Sequence, residues 1–287
     1  VTPSFGERLA GAFDTFGQLC VGIDPHSFLL EEWGLPNSAT GLREFGLRVV
    51  DAAAGNVGIV KPQIAFFERH GSDGYRALEE VLAAARAAGL LVIADVKRGD
   101  VGSTVEAYAQ AWLTPGGALE ADAITMSAYQ GVESLHAPVD LALASAKGIF
   151  VLAATSNPES FALQRSILSG GPFAGATVAG SIVDAVSAIN RQHFSTGLGS
   201  VGVVLGATVH LGDYGIELER ISGAAATPIL APGFGHQGAS VSDIGTLFGV
   251  ASSQVIVTAS RSILSAGPAV LAGSIRSHAH EVAQWRG

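Results

Sequence analysis

Short apolar runs recur along the chain, and between them apolar positions return every three or four residues. The runs Gln18–Asp24, Val57–Gln63, Leu90–Lys97, Ala123–Met126, Ile149–Ala153, Val201–Gly206, Pro228–Ala231 and Gln254–Thr258 read as strands buried on both faces. The intervening stretches predict helices. One is amphipathic over Ala39–Ala54, the next carries Tyr75, Leu78, Val81 and Leu82 on a single face, and others lie near Val105–Trp112 and Glu133–Ala146. Val178, Ile182, Val186 and Ile189 mark a further helix, helical segments separate the last strands, and Val270, Leu271, Ile275 and Val282 belong to a terminal helix. Eight strands alternating with eight helices is the count of an α/β protein of the (β/α)8 TIM-barrel class, a fold that takes about 250 residues. Positions 1–287 are therefore read as a single domain. A doubly wound open sheet is the competing architecture, but its Gly-x-Gly-x-x-Gly turn is missing after the first strand, where Asp24-Pro25-His26 stands. No Pro- or Ser-rich linker divides the chain, and the longest irregular stretch, Ser156–Gly175, reads as an enlarged loop after strand five.

Composition narrows the function classes. Apolar residues make up 48% and charged residues 14%, which supports a large core and excludes a disordered chain. A net charge of −9 argues against a nucleic-acid partner. It leaves room for a phosphorylated small molecule, since a few cations and backbone amides suffice for one phosphate. No apolar run reaches membrane-spanning length, and Glu7, Arg8 and Asp14 interrupt the N-terminal segment, so neither a span nor a signal peptide is expected. The single cysteine, Cys20, cannot form an intrachain disulfide, which favours a reducing compartment and a cytoplasmic protein. Set in Leu19-Cys20-Val21, it reads as strand core rather than nucleophile.

The charges are placed where they change this picture. Asp95-Val96-Lys97-Arg98-Gly99-Asp100 closes the most strand-like run, and alternation along a strand points Asp95 and Lys97 to the same side. Buried charges at a strand end need partners, so the segment is either a structural ion pair or part of a site. In a barrel of this class the site forms at the carboxyl ends of the strands. Polar groups collect there: Asp24, Lys61, Asp95 with Lys97 and Asp100, Ser127, Thr155-Ser156-Asn157, Gly206-Ala207-Thr208, Pro232–Gly238 and Ser260-Arg261. Gly233, Gly235, Gly238 and Ser260-Arg261 follow strands seven and eight, where such barrels commonly hold phosphate; Arg261 otherwise reads as an exposed residue at a helix start. Lys61, Asp95, Lys97 and Asp100 form an array of alternating charge in which a lysine stays protonated and serves as a general acid. His26, His136, His193, His210 and His236 lack a metal-binding spacing, and Ser127 and Ser156 lack a nucleophile elbow and read as hydrogen-bonding groups to a ligand.

Asp95-x-Lys97-x-x-Asp100-x-x-x-Thr104 resembles the signature of the orotidine 5′-phosphate decarboxylase family. Cys20–Pro25, Val60–Glu68 and Thr155–Pro158 resemble its longer bacterial branch, as in mycobacteria, and Pro232–Gly238 and Arg261 fall in order where that family binds phosphate. The resemblance implies decarboxylation of orotidine 5′-phosphate to UMP, with no metal or organic cofactor. It implies that Lys97 donates the proton to C6 and that Asp95 lies beside the substrate's carboxylate. Lys61 and Asp24 would bind the ribose hydroxyls, Ser156 the pyrimidine edge, and Gln237 and Arg261 the phosphate; Ser127 is expected to contact the substrate too. Asp100 and Thr104 would reach into the site of a neighbouring subunit, making the enzyme a homodimer. One departure is Ser127-Ala128-Tyr129-Gln130-Gly131, where the branch carries a proline second, and loss of that constraint is expected to shift the loop. The alternative is a metal-dependent sugar-phosphate decarboxylase or aldolase of the same superfamily, with Glu68 and Asp122 as possible ligands, although neither falls at a strand end. A non-catalytic nucleotide-binding barrel would predict damage to the charged array, whose four residues are all present.

Overall fold

The computed structural model describes residues 2–235 and 238–285, so His236 and Gln237 lie outside the described residues. Strands β1 (Leu19–Ile23), β2 (Ile59–Pro62), β3 (Leu91–Arg98), β4 (Ala123–Ser127), β5 (Gly148–Ala154), β6 (Val201–Leu205), β7 (Ile229–Ala231) and β8 (Val255–Ala259) pair in parallel in chain order. Pairing of β8 with β1, Leu19 opposite Val257, closes the barrel. Helices Ala39–Ala53, Gly71–Ala87, Gly102–Leu113, His136–Ala144, Val178–His193 and Leu271–Trp285 lie between or after the strands near the positions that periodicity predicts.

Strict alternation fails in one place. Between β6 and β7 the described chain makes only the 3-10 turns Leu211–Tyr214 and Leu218–Arg220. Gly206, Gly212, Gly215 and Gly223 punctuate this segment and leave no stretch long enough for an amphipathic helix. The stretch Glu133–Ala146 also divides, into a 3-10 turn Val132–Leu135 and the helix His136–Ala144. Ser156–Gly175 is more ordered than its composition predicts. It holds short turns at Pro158–Ser160 and Phe161–Gln164, and its far end folds back through Leu168 N–H to Ala176 O at 2.9 Å.

The N-terminal helix Phe5–Phe16 was not anticipated, yet its signals are present. Ser4 and Glu7 form a capping box, and Phe5, Leu9 and Phe13 recur every four residues. Those three side chains are buried against Cys20, Ile59, Leu91, Ile93, Phe150, Leu230 and Ile256, so the helix plugs the amino end of the barrel. Room for it comes from missing side chains: a Cβ at Gly148 would fall 2.4 Å from the Phe5 ring, and one at Gly202 would fall 2.5 Å from Phe150. Phe5 and Phe150 meet edge to face at 5.9 Å. Arg8 then ties the plug down, with Nη1 on Asp122 Oδ1 at 2.5 Å and Nη2 donating to Ala146 O at 2.8 Å. Asp122 also accepts the Val92 N–H at 2.9 Å and faces Lys147 at 3.6 Å, so the charges at this end are paired.

Replacing fully buried Leu9 by Ala should lower the unfolding free energy by about 2–5 kcal/mol through lost burial and the cavity left in the plug. Urea titration of parent and variant measures this, and equal midpoints would show that the plug carries no stability.

Candidate active site

At the carboxyl end of the barrel the chain opens into a cavity of about 1050 Å³. Asp24, Lys61, Gln63, Asp95, Lys97, Thr125, Ser127, Ser156 and Arg261 all line it. Its centre is Asp95, whose residue is 8% exposed. Oδ1 accepts Lys97 Nζ at 2.7 Å and Thr125 Oγ1 at 2.8 Å, while Oδ2 accepts Gln63 Nε2 at 2.9 Å and Lys61 Nζ at 3.3 Å. Four donors match the lone-pair capacity of a carboxylate. Burial opposes ionisation of Asp95, but the ammonium groups of Lys61 and Lys97, with the hydrogen bonds from Lys97 and Thr125, outweigh it and hold the carboxyl well below its ordinary range. Burial likewise opposes the charge on Lys61, and the carboxylates of Asp95 and Asp24 outweigh it and raise the lysine above its ordinary value. Both groups are therefore charged at neutral pH.

The two lysines differ in what they face. The Lys61 side chain is 8% exposed and that of Lys97 is 49% exposed, so Lys97 presents its ammonium to the open cavity. Its position does not follow from regular strand alternation. β3 pairs with β4 at Ala94 opposite Ile124 and again at Arg98 opposite Met126, leaving a bulge between them. Lys97 takes φ 47°, a left-handed conformation that costs about 1–2 kcal/mol in a residue with a Cβ. The bulge aims the side chain across the mouth, and Asp95 holds it there.

Asp24 follows β1, and its Oδ1 is buried without a hydrogen-bond partner. Such an acceptor is costly until a donor arrives, which fits a ligand hydroxyl. Gly22 beneath it has no side chain because Ser260 Oγ fills that space, 1.9 Å from where a Cβ would stand. Ser127 ends β4. The turn after it closes without proline, through Gly131 N–H to Ala128 O at 2.9 Å. Ser156 follows β5, where Gln164 holds the neighbouring Thr155 by its N–H and its hydroxyl, each at 2.9 Å. Leu163, Leu168 and Phe173 of the enlarged loop line that side of the cavity. Opposite, His26 packs between Phe28 and Phe66, with ring centroids at 5.2 and 4.4 Å.

The orotidine 5′-phosphate decarboxylase / HUMPS family model matches residues 17–274, a span that includes the plugless barrel and every lining residue named above. The chain belongs to that family. A Salinispora tropica protein named orotidine 5′-phosphate decarboxylase is 49% identical over 269 residues, 94% of this chain and 92% of that protein. One of the same name from Corynebacterium efficiens is 44% identical over 284 residues, 99% of this chain and 97% of that protein. Among solved structures, a Streptomyces avermitilis protein described as an orotidine 5′-phosphate decarboxylase superposes with a TM-score of 0.90 at 41% identity, covering 99% of this chain and 96% of that one. The Leishmania donovani OMP decarboxylase superposes at 0.76 with 29% identity, covering 99% and 98%.

Of the residues singled out in the sequence, the family barrel brings Asp24, Lys61, Asp95, Lys97, Ser127, Ser156 and Arg261 to one cavity. Asp100 and Thr104 stand apart from it: Asp100 Oδ1 accepts the Val101 N–H at 2.9 Å, and Thr104 is exposed on the helix Gly102–Leu113. Gln237 lies outside the described residues. Sequence reasoning missed Gln63 and Thr125 as partners of Asp95. Alternation carried the signal for both, since Gln63 is two positions beyond Lys61 and Thr125 two before Ser127.

The contribution of a depressed carboxyl to stability is present above its unfolded value, about 3.9, and is lost as pH falls through the folded value; for the raised Lys61 it is present below about 10.4 and lost as pH rises. Asp95→Asn leaves Lys61 buried beside a neutral amide and should cost about 3–5 kcal/mol near neutrality. Unfolding free energies of parent and variant measured down through the acid range should converge, and a gap independent of pH would contradict an ionised Asp95.

Proposed function

We propose that this chain decarboxylates orotidine 5′-phosphate to UMP and carbon dioxide, with Lys97 delivering the proton to C6. The observation that carries this reading is the Asp95 centre: a carboxylate held ionised by four donors, beside one ammonium that faces the cavity. The substrate's own carboxylate, seated near Asp95, meets an ionised group that cannot relieve the repulsion by protonation. Cleavage of the C6–carboxylate bond releases neutral carbon dioxide and leaves the electron pair on C6. Lys97 stabilises that charge as it forms and then transfers one proton to the carbon, and the amine recovers its proton from water.

The remaining residues bind and orient. Arg261 engages two phosphate oxygens, and Gln237 takes the same ligand. The unpartnered Asp24 Oδ1 accepts from a ribose hydroxyl, with Lys61 donating beside it. Ser127 and Ser156 meet the pyrimidine edge. Phosphate binding is remote from the reacting carbon, so its energy is available to order the loops over the site.

The metal-dependent alternative finds no ligand set among the described residues. Glu68 is bound by Arg98 and by the Tyr75 hydroxyl, and Asp122 by Arg8 at the opposite end of the barrel. Among the described residues no three His, Cys, Asp or Glu side chains gather as a metal site requires. Asp100 and Thr104 act across a homodimer on this reading. Thr104 and Tyr108 share one face of the helix Gly102–Leu113, the extended Val101 stands just before it, and Val101 and Tyr108 are 53% and 37% exposed. An apolar stripe carrying a threonine suits a second copy of the chain. The working compartment is the cytoplasm, where the buried Cys20 thiol stays reduced.

Loss of orotidine 5′-phosphate absorbance in a chelator-containing buffer tests the reaction. The parent should turn over undiminished, and folded Lys97→Ala should show no turnover. Mixing inactive Lys97→Ala with inactive Asp100→Ala should restore roughly one quarter of parental activity, because half of randomly paired dimers hold one complete site. No recovery on mixing would place Asp100 in its own subunit's site, and parental turnover by Asp100→Ala alone would place it outside the reaction.

A further inference from the structure

We propose that Thr125 is a positioning residue for the reaction, its hydroxyl latching the main chain of Lys97 to the carboxylate of Asp95. The role rests on the assignment of Lys97 as proton donor, but the latch itself is a feature of the fold.

The bulge creates the need. Between the paired positions Ala94–Ile124 and Arg98–Met126, three residues of β3 face one residue of β4, and that residue is Thr125. A regular ladder has no carbonyl to spare for the extra N–H groups. The Lys97 N–H donates instead to Thr125 Oγ1, at 2.9 Å. Having accepted that bond, the hydroxyl has a single proton to give, and it gives it to Asp95 Oδ1 at 2.8 Å. The same Oδ1 takes the Lys97 ammonium at 2.7 Å. The result is a closed ring: Lys97 main chain, Thr125 hydroxyl, Asp95 carboxylate, Lys97 side chain.

Each part of the ring constrains the others. The left-handed φ of Lys97 persists only if its surroundings over-determine it, and the N–H bond to Thr125 fixes the peptide on its amino side. The proton from Thr125 sets the rotation of the Asp95 carboxylate, and that rotation decides where the ammonium rests. Thr125 is 1% exposed, so water has little access to replace its hydroxyl. Lys61 and Gln63 hold the other oxygen from β2 and its end, so the carboxylate is gripped from both sides.

Valine keeps the branched shape of threonine and removes the hydroxyl, while serine keeps the hydroxyl. Thr125→Val should lower kcat about 10- to 100-fold, as expected for loss of a hydrogen bond to a charged group, with KM within about threefold of the parent. Thr125→Ser should retain kcat within about fivefold. A crystal structure of Thr125→Val should show Lys97 Nζ withdrawn from Asp95 Oδ1 beyond about 3.5 Å. Parental kcat in Thr125→Val, an equal loss in both variants, or an unmoved Lys97 would overturn the proposal. Should the valine variant fail to fold, Thr125→Cys puts a poor hydrogen-bonding thiol where the hydroxyl stood, and Thr125→Ser controls for the methyl that both lose; a loss of kcat in cysteine but not in serine supports the latch and parental kcat in cysteine overturns it. If the parent itself leaves orotidine 5′-phosphate unchanged, the reading of the reaction falls, and the position of Lys97 in the crystal still decides the latch.

Discussion

A buried carboxylate with four donors leaves its neighbours little freedom, and much of the barrel mouth is arranged around that one group. Asp95 draws donors from β2, from the residue just beyond it, from β4 and from its own strand. Remove any one and a charge or dipole is stranded where water has little access, so the ends of β2, β3 and β4 are held in one relative position. This is preorganisation in a literal sense. The ammonium that faces the cavity stands in place before any ligand arrives.

The two ends of the barrel divide the burden. The amino end is packed and paired: Phe5, Leu9 and Phe13 fill it, and Arg8, Asp122, Lys147 and Glu120 neutralise one another. The carboxyl end holds an acceptor without a partner at Asp24 and a disfavoured backbone at Lys97. Such features are tolerated where the surroundings fix them, and here the densely packed interior beneath the mouth does so.

How much of this was legible in the sequence follows from which signals are local. Strand positions came from apolar runs, and polar residues at their carboxyl ends marked Asp24, Lys61, Asp95, Lys97, Ser127, Ser156 and Arg261 before any fold was known. The plug was missed although Ser4 and Glu7 announce a helix start, because a helix outside the strand–helix alternation has no slot in the pattern being counted. The bulge at Lys97 could not be read at all, since a register shift between β3 and β4 depends on both strands at once. Thr125 fell between the cases: its polarity inside an apolar run was visible, but its two hydrogen bonds exist only once the bulge has formed. The expected helix between β6 and β7 shows the converse error, where the architecture suggested an element that a glycine-punctuated segment does not make.

The plug also bears on how the chain reaches its final form. Gly6 bonds to Ser200 across 194 positions, and Gln18 reaches Val255 across 237. Contacts of that span impose a large loop-closure entropy. The seat of the first helix is completed by residues of β5, β7 and β8, among them Phe150, Leu230 and Ile256, and without them its apolar face is uncovered. Seating that helix on Ile256 and pairing β8 with β1 draw on the same two distant stretches of chain, so the plug and the barrel seam depend on each other.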